Sequence, residues 1–299
     1  MKRVIAPAIL IGLFLGATSV PQTFTDDVGY RVHLSSPPQR IISLAPNITE
    51  ILYQLDLQDK IIAVTQYCDY PPEVKEKPTI GGYINPNLEK IIALKPDLIL
   101  GFRGNPLPLI HKLQSLGLPI FVLDEGQTIS SLLRMIDRLG KVTFKVEKAA
   151  SLRSQLESIL SEIDHKLTST TNKPRVLLTF QGSQLWSCGE ESFLNDLITR
   201  AGGINIWHDI HRAWFVAQAE EIILKNPEII IILAPDINHF NQTKQFLFSL
   251  PRFNQIKAIR NQKIFFIDED LVSRLSPRLI EALPLFLVIF HPELTSCPL

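Results

Sequence analysis

The feature that most constrains this chain is a segment that it carries twice. The first copy runs from Leu88 to Leu100 as LEKIIALKPDLIL, and the second runs from Ala219 to Ile231 as AEEIILKNPEIII. Each copy predicts a short amphipathic helix that is ended by a proline and followed by an apolar strand. The period is too long for a solenoid, so the repeat predicts two similar lobes.

The two copies also share their polar and aromatic surroundings. Glu89 and Glu220 hold the second position of the copies, and Tyr83 and Trp214 stand six positions before them. Two lobes that each carry an aromatic residue and an exposed acid at the same position indicate a protein that contacts its partner through two equivalent surfaces. An acid in the first turn also stabilises a helix by a few tenths to about 1 kcal/mol. Helix capping could therefore explain one glutamate, whereas the repeat is harder to explain that way.

Composition limits the classes of function. At 299 residues the chain has room for two domains, and its 30 basic and 30 acidic residues cancel. A neutral chain has no global field that would favour nucleic acid or an anionic membrane surface. The strand-like runs are rich in Ile, Leu and Val, which is typical of the doubly covered strands of parallel α/β sheets.

The N-terminus resembles an export signal. Two basic residues precede an apolar stretch from Val4 to Ala17, which is short for a membrane span. We predict a signal peptide over residues 1–19, with an uncleaved anchor as the alternative, and an irregular segment over residues 20–39. No cysteine near the cleavage site offers a lipid attachment point, so we expect a soluble periplasmic protein.

Strand–helix alternation divides the remaining chain. It predicts an N-terminal α/β lobe over residues 40–141 and a C-terminal α/β lobe over residues 174–299. Between them, residues 142–168 lack proline and glycine and repeat apolar residues at helical spacing, which predicts one long linking helix. In the first lobe, Asn47 and Glu50 have the spacing of a capping box.

Four motifs resemble one family, the periplasmic cobalamin and iron-siderophore binding proteins of ABC importers, and most closely its corrinoid branch. They are RIISLAPNITE from Arg40, DYPP from Asp69, LKPDL from Leu94 and SPR from Ser276. The resemblance implies an α/β fold of two Rossmann-like lobes joined by one long helix, the helical-backbone type called class III. It also implies that the ligand is held in the cleft between the lobes.

The resemblance further implies a set of ligand-binding residues. Six are aromatic: Tyr67, Tyr83, Phe102, Phe180, Trp186 and Trp214. Asp270 matches an acid that accepts a hydrogen bond from a side amide of the corrin ring. Aromatic rings suit a large flat macrocycle because they bury much area at low entropic cost. Two of the six are smaller than the tryptophans of the corrinoid branch, which leaves a ferric siderophore or haem as the alternative ligand.

The resemblance places Glu89 and Glu220 at the outer tips of the lobes, where they would contact arginines of a two-fold permease dimer. We therefore expect a monomeric solute-binding protein. Two other classes stay open, an enzyme and an exported structural or sensory module. The enzyme is disfavoured because the sequence carries no nucleophile elbow, phosphate loop or metal-ligand motif.

Neither the cysteines nor the histidines predict a resident metal or cofactor. Cys68, Cys188 and Cys297 are odd in number, so at least one thiol is unpaired, and their spacing names no pair. A cysteine that ligates cobalt is the alternative to small buried residues. His208 and His211 lack a third ligand at metal spacing, so we do not expect a zinc site.

Overall fold

The computed structural model describes residues 21–294. The strands of its first half are β1 (Gln22–Thr25), β2 (Arg31–Leu34), β3 (Ile41–Ser43), β4 (Ile61–Val64), β5 (Leu98–Phe102) and β6 (Ile120–Leu123). The helices are α1 (Pro46–Gln54), α2 (Leu88–Ala93), α3 (Leu107–Ser115), α4 (Ile129–Val142) and α5 (Val146–Leu167). Strands β4, β3, β5 and β6 form a parallel sheet in that order, and β1 and β2 form an antiparallel hairpin.

The second half repeats the alternation around a six-stranded mixed sheet. Its strands are β7 (Arg175–Phe180), β8 (Trp186–Cys188), β9 (Ile204–Asn205), β10 (Trp214–Val216), β11 (Ile229–Ala234) and β12 (Ile264–Asp268). Its helices are α6 (Phe193–Arg200), α7 (Ala219–Lys225), α8 (Ile237–Ser249), α9 (Lys257–Arg260), α10 (Glu269–Val272), α11 (Pro277–Glu281) and α12 (Leu283–Phe290). Strands β7, β11 and β12 are parallel to one another, whereas β8 runs antiparallel to both of its neighbours, β7 and β10. The predicted class of two α/β lobes is confirmed.

The repeated segment folds into the same helix, turn and strand in both lobes. The copies form α2 with β5 and α7 with β11. The residue before the proline, Lys95 in one copy and Asn226 in the other, has a left-handed backbone with φ of 46° and 45°. The residue after a helix commonly adopts this conformation, and the residue before a proline disfavours the α-helical region. The same local rule therefore ends both helices.

In each lobe an arginine at the start of a parallel strand, β3 or β7, donates hydrogen bonds to the turn that follows the repeated helix. Arg40 donates from its guanidinium to two carbonyl oxygens of the turn after α2, at 2.6 and 3.1 Å, and its backbone N–H donates to Asp97 at 2.8 Å. In the second lobe, Arg175 donates to the carbonyl oxygen of Asn226 at 2.7 Å and, through its N–H, to Glu228 at 3.1 Å. We call these arrangements the first turn clamp and the second turn clamp.

The segment before the first lobe is more regular than predicted. Residues 20–39 were expected to be irregular, but β1 and β2 pair within them, from Gln22 with Leu34 to Thr25 with Arg31. The carboxylate of Asp26 accepts hydrogen bonds from two N–H groups of the connecting turn, at 2.7 and 3.1 Å, and from the N–H of Val122 in β6. The hairpin is thereby attached to the parallel sheet. The predicted signal peptide, residues 1–19, lies outside the described residues.

The predicted capping box at the start of α1 is wrong. The helix begins at Pro46 with Ala45 as its N-cap, because proline fits the first helical position and needs no hydrogen bond there. The side chain of Asn47 instead donates to Glu125 at 2.6 Å, and Glu50 turns to a residue of the second lobe. The short sequence pattern was real, but its two side chains serve tertiary contacts.

The long linking helix is confirmed in kind and corrected at its start. Helix α5 begins at Val146 rather than at residue 142, because Phe144 has a left-handed backbone that separates it from α4. Its 22 residues span roughly 33 Å. It packs against α4 in the first lobe and against α6, α11 and α12 in the second. One helix therefore contacts both lobes.

The last helical region of the chain is divided just before Pro284. It forms α11 and α12, with the break at Ala282. Helix α8 was missed, although Asp236 caps it by accepting hydrogen bonds from the N–H groups of Asn238 and His239. Among residues 21–294, no helix combines the length and apolarity needed to cross a membrane.

Candidate functional site

The carboxyl edges of the two sheets meet at an ion-pair network. Asp69 lies beyond the end of β4, and Arg274 lies beyond β12 and α10. Arg274 donates to both carboxylate oxygens of Asp69, at 2.5 and 2.9 Å, and to Glu50 at 3.2 Å. Asp69 follows a strand of the first sheet and Arg274 follows a strand of the second, so the network joins the two lobes beyond the carboxyl ends of these strands. Ligands of open α/β sheets bind outside such edges.

The centre of the network is buried. Glu50 is 3% exposed and accepts two hydrogen bonds from Arg278, at 2.6 and 2.9 Å, which is the bidentate geometry of a strong charge-assisted pair. The guanidinium of Arg278 also lies 3.9 Å from the ring centroid of Tyr70. Burial alone would lower the pKa of Arg278, but the hydrogen bonds and charge of Glu50 raise it. The guanidinium of Arg278 therefore stays charged, and its hydrogen bonds to Glu50 join the second lobe to the first.

The first aromatic cluster lies in the N-terminal lobe. Ring centroids of Tyr67 and Tyr83 are 5.4 Å apart, and those of Tyr83 and Phe102 are 5.9 Å apart. Tyr67 is 47% exposed, and Phe102 ends β5 at the carboxyl edge. The structure thus brings together all three aromatic residues predicted in this lobe.

A residue that the sequence did not single out holds this cluster. Asn105 is 2% exposed, accepts a hydrogen bond from the N–H of Phe102 at 2.9 Å and donates to the carbonyl oxygen of Tyr83 at 2.9 Å. A buried polar side chain that bridges two loops is costly unless it is satisfied, so Asn105 fixes both backbones. Its position three residues after an aromatic strand end was the available signal.

The second aromatic cluster lies in the C-terminal lobe. Trp214 packs edge-on against Phe180 at 5.6 Å and against Phe193 at 5.7 Å. Phe193 was not predicted. Trp186 lies on the neighbouring strand β8, where it pairs with Val216 of β10.

The two exposed tryptophans of this lobe are held by strands rather than by loops. Trp186 and Trp214 lie on paired antiparallel strands, Trp214 opposite Cys188 and Trp186 opposite Val216. Residues that face each other across such a pair share one side of the sheet, so both indole rings emerge from the same side. They stay 42% and 40% exposed, and a rigid sheet holds them there.

Among the described residues, Asp270 forms no hydrogen bond with a member of either aromatic cluster. It stands in the first turn of α10, directly beyond β12, and its N–H donates to Asp268 at 2.9 Å. Its carboxylate is exposed at the same carboxyl edge as Phe180. Beside it, burial and the charges of Asp270 and Asp268 raise the pKa of Glu269. The predicted contact of Asp270 with a ligand stays a prediction.

Glu89 and Glu220 occupy matching places on the repeated helices. Each is the second residue of its helix, α2 or α7, and each is exposed. Asn87 supplies the side-chain cap of α2, so Glu89 is not needed for that purpose. Within residues 21–294 neither glutamate forms a salt bridge, which leaves both carboxylates available to a partner.

Comparison with known proteins identifies the family. The family model described as periplasmic binding protein matches residues 41–271, which is more than half of the chain. This chain belongs to the periplasmic binding protein family. Members of this family are the substrate-binding proteins of transport systems.

Three similar proteins place this periplasmic binding protein more closely. An uncharacterized ABC transporter substrate-binding lipoprotein, YvrC of Bacillus subtilis, is 27% identical over 279 residues, which cover 91% of this chain and 86% of the relative. A vitamin B12-binding protein of Photorhabdus laumondii is 29% identical over 257 residues, covering 83% and 86%. The crystal structure of the periplasmic vitamin B12 binding protein BtuF of Vibrio cholerae superposes with a TM-score of 0.74 at 26% identity, covering 86% and 98%.

The described cysteines of this periplasmic binding protein are poorly suited to ligate a metal. Cys68 and Cys188 are free and buried, and Cys297 lies outside the described residues. Burial raises the pKa of Cys188 to about 12 and also raises the pKa of Cys68, so both thiols stay protonated. His211 contacts Glu190 at 2.5 Å, yet residues 21–294 contain no group of three or more potential ligands that could hold a metal ion.

Proposed function

We propose that this protein captures a corrinoid between its two lobes and delivers it to an ABC importer. The observation that carries the proposal is an aromatic cluster in each lobe, anchored by Phe102 and Phe180 at the carboxyl ends of β5 and β7. A corrin ring is large and largely apolar at its rim, and two aromatic walls would cover it from opposite lobes. The similarity to vitamin B12-binding proteins supports the same ligand class.

The polar residues would orient the ligand. Asp270 stands exposed at the carboxyl edge and would accept a hydrogen bond from a side amide of the ring. The ion-pair network of Glu50, Arg274 and Arg278 would hold the cleft at a fixed width without contacting most of the ligand. Recognition would then rest on aromatic surface and a few hydrogen bonds in a site that is formed in advance.

Tryptophan fluorescence tests the ligand. We expect cyanocobalamin to quench the emission saturably, with one ligand per chain, because the corrin absorbs visible light and would lie near Trp186 and Trp214. Trp186→Phe and Trp214→Phe should each remove part of the quenching, whereas Trp207, which is buried beside Phe215, should contribute little to it. Quenching by ferrichrome but not by cyanocobalamin or cobinamide would overturn the corrinoid proposal.

Haem is the second candidate, and one side chain favours it. Tyr67 is 47% exposed at the edge of the first cluster, and a tyrosine phenolate is one of the ligands by which proteins hold haem iron. Titration with haemin tests this directly. An absorption spectrum of tyrosinate-ligated ferric haem that Tyr67→Phe abolishes would favour haem over a corrinoid, for which loss of the hydroxyl should have a small effect.

We propose that Glu89 and Glu220 dock the loaded protein on the importer. A pseudo-symmetric pair of acids on one chain matches a partner that presents the same basic pocket twice. Carboxylate–arginine pairs at an interface fix the register and speed association, and loss of one partner of a buried pair costs roughly 2–5 kcal/mol.

Charge reversal tests the docking. We expect Glu89→Lys combined with Glu220→Lys to bind ligand normally and to lose delivery to the transporter. Each single change should weaken docking to a similar degree, because the two acids hold the same position on matching helices. Uptake at the normal rate with the double variant would show that the glutamates only favour their helices.

We infer that the chain acts as an exported monomer. The basic and apolar N-terminal residues and the periplasmic family support export, with processing after residue 19. N-terminal sequencing of protein taken from the periplasm tests the processing, and sedimentation equilibrium tests the monomer. An intact N-terminus would favour the membrane-anchored alternative.

A further inference from the structure

Each repeated helix exposes an aliphatic side chain one turn after its glutamate. Ile92 follows Glu89 by three positions and is 43% exposed, and Leu224 follows Glu220 by four positions and is 82% exposed. Residues three and four apart lie on one face of a helix. The acid and the aliphatic residue therefore share the outward face of α2 and of α7.

This exposure is not the result of loosely packed helices. Ile91 and Ile222, the next residues toward the core at matching repeat positions, are both 0% exposed. The two turn clamps hold the ends of the helices in the same way. Each helix is thus anchored on its inner face and presents a fixed outer face.

The segment that leads into α2 adds one further apolar side chain, Ile84, which is 63% exposed. Single exposed apolar residues are normal on protein surfaces. Ile92 and Leu224 do not hold the same repeat position, since Leu224 corresponds to Ala93, but each lies one turn after its glutamate on the outward face of its helix.

We propose that the docking surface at each lobe tip is a paired polar and apolar contact, formed by Glu89 with Ile92 and by Glu220 with Leu224. The proposal rests on the docking function proposed above and specifies the chemistry of the partner. Each of the two equivalent pockets on the importer carries a basic group for the acid and an apolar rim for the aliphatic side chain. The acids direct encounter and register, while the aliphatic side chains lose contact with water in the complex and slow dissociation.

Binding to the importer tests the proposal. The corrinoid permease of the same organism would be reconstituted in nanodiscs and titrated with the full exported protein, loaded with cyanocobalamin. We expect Ile92→Ser and Leu224→Ser each to weaken Kd roughly tenfold, and the double variant roughly a hundredfold, with unchanged cyanocobalamin quenching. The negative heat-capacity change of binding should also become smaller, which loss of an ion pair alone would not cause.

Matched controls lie elsewhere on the surface. Leu116 and Val146 are 45% and 56% exposed, so Leu116→Ser and Val146→Ser should leave Kd unchanged. Wild-type affinity and heat capacity for both Ile92→Ser and Leu224→Ser would overturn the proposal. If the glutamate variants then still lost docking, only the apolar part would fail; if they docked normally, the docking function itself would fail.

A second copy of this chain is the competing occupant. Sedimentation velocity over a range of concentrations distinguishes it from the importer. Self-association that Ile92→Ser and Leu224→Ser abolish, without an effect on permease binding, would assign the aliphatic faces to a dimer and overturn the proposal.

Discussion

The two lobes agree where the repeated helices are anchored and differ where the aromatic residues are presented. Both lobes use an arginine and an acid to hold the turn after the repeated helix. The preceding aromatic residue is treated differently. Tyr83 lies on a loop whose carbonyl oxygen is held by Asn105, whereas Trp214 lies on an added edge strand.

This difference is explained if the repeated helices serve docking and the aromatic residues serve ligand binding. If both tips dock on equivalent pockets, their helices must be positioned alike, and the matching turn clamps supply that. The corrinoid proposed as ligand would have no two-fold symmetry, so the two aromatic clusters that bind it need not be built by the same means. The repeat covers the helix, the turn and the following strand, whereas the aromatic residues before the helix are held differently in the two lobes.

The largest expected effect concerns the network that fixes the lobes relative to each other. Glu50→Gln should lower the free energy of unfolding by about 3 kcal/mol, because it leaves Arg278 buried without its carboxylate. Urea titration measures the loss. Glu162→Gln is the control and should be neutral, since its pair with Lys166 is on the surface. Replacement of the pair together, by Glu50→Leu with Arg278→Met, should recover much of the loss, and failure to do so would point to the remaining charges of the network.

The turn clamps allow the two lobes to be compared directly. Arg175→Gln should cost about 1.5 kcal/mol of unfolding free energy and Arg40→Gln about 0.5 kcal/mol, because Arg175 is half-buried and Arg40 is exposed. Both values come from urea unfolding of the same protein. A larger loss for Arg40→Gln would break the comparison, since it would show that exposure does not weaken the first turn clamp.

The second turn clamp also predicts a pH dependence. The hydrogen bond from the N–H of Arg175, with further help from Lys257, holds the pKa of Glu228 below its usual range. A lowered pKa in the folded state gives stability that is present above the unfolded value, about 4.3, and is lost as the pH falls through the folded value. Unfolding free energy should therefore fall less between pH 5 and pH 3 in Glu228→Gln than in the wild type. Parallel curves for the two proteins would exclude this contribution.

The smallest expected effect is a change of shape on binding. Helix α5 packs against both lobes, and the ion-pair network adds a second connection between them. Small-angle scattering with and without cyanocobalamin should give nearly superimposable profiles. A clear drop in the radius of gyration would reveal a hinge between the lobes and would mean that their relative position is not fixed in the free protein.

Much of the fold could be predicted because it depends on local pattern. Apolar runs such as Ile229–Ala234 are buried throughout, and periodicity reports such burial directly. The same reasoning failed for β8 and β10, which are three residues long and too short to show an alternation. It also failed for helix α8, in which a polar run from Asn241 to Gln245 separates Phe240 from the apolar residues of the last turn.

The candidate site shows the same division. The aromatic residues were identified by resemblance, and their grouping into two clusters followed only from the structure. Phe193 and Asn105 were missed because neither stands in a motif, and each acts through neighbours that the tertiary fold supplies.

The sequence by itself determined the repeat, the alternation of strands and helices, the two lobes and the linking helix, since each is recorded in the spacing of nearby residues. Only the tertiary structure decided the partner of Glu50. Its spacing from Asn47 indicated a local cap, yet its carboxylate binds Arg278, more than two hundred residues along the chain. A local cap satisfies one helix end, whereas a buried carboxylate requires a positive charge, and the apposition of the two lobes brings that charge to it.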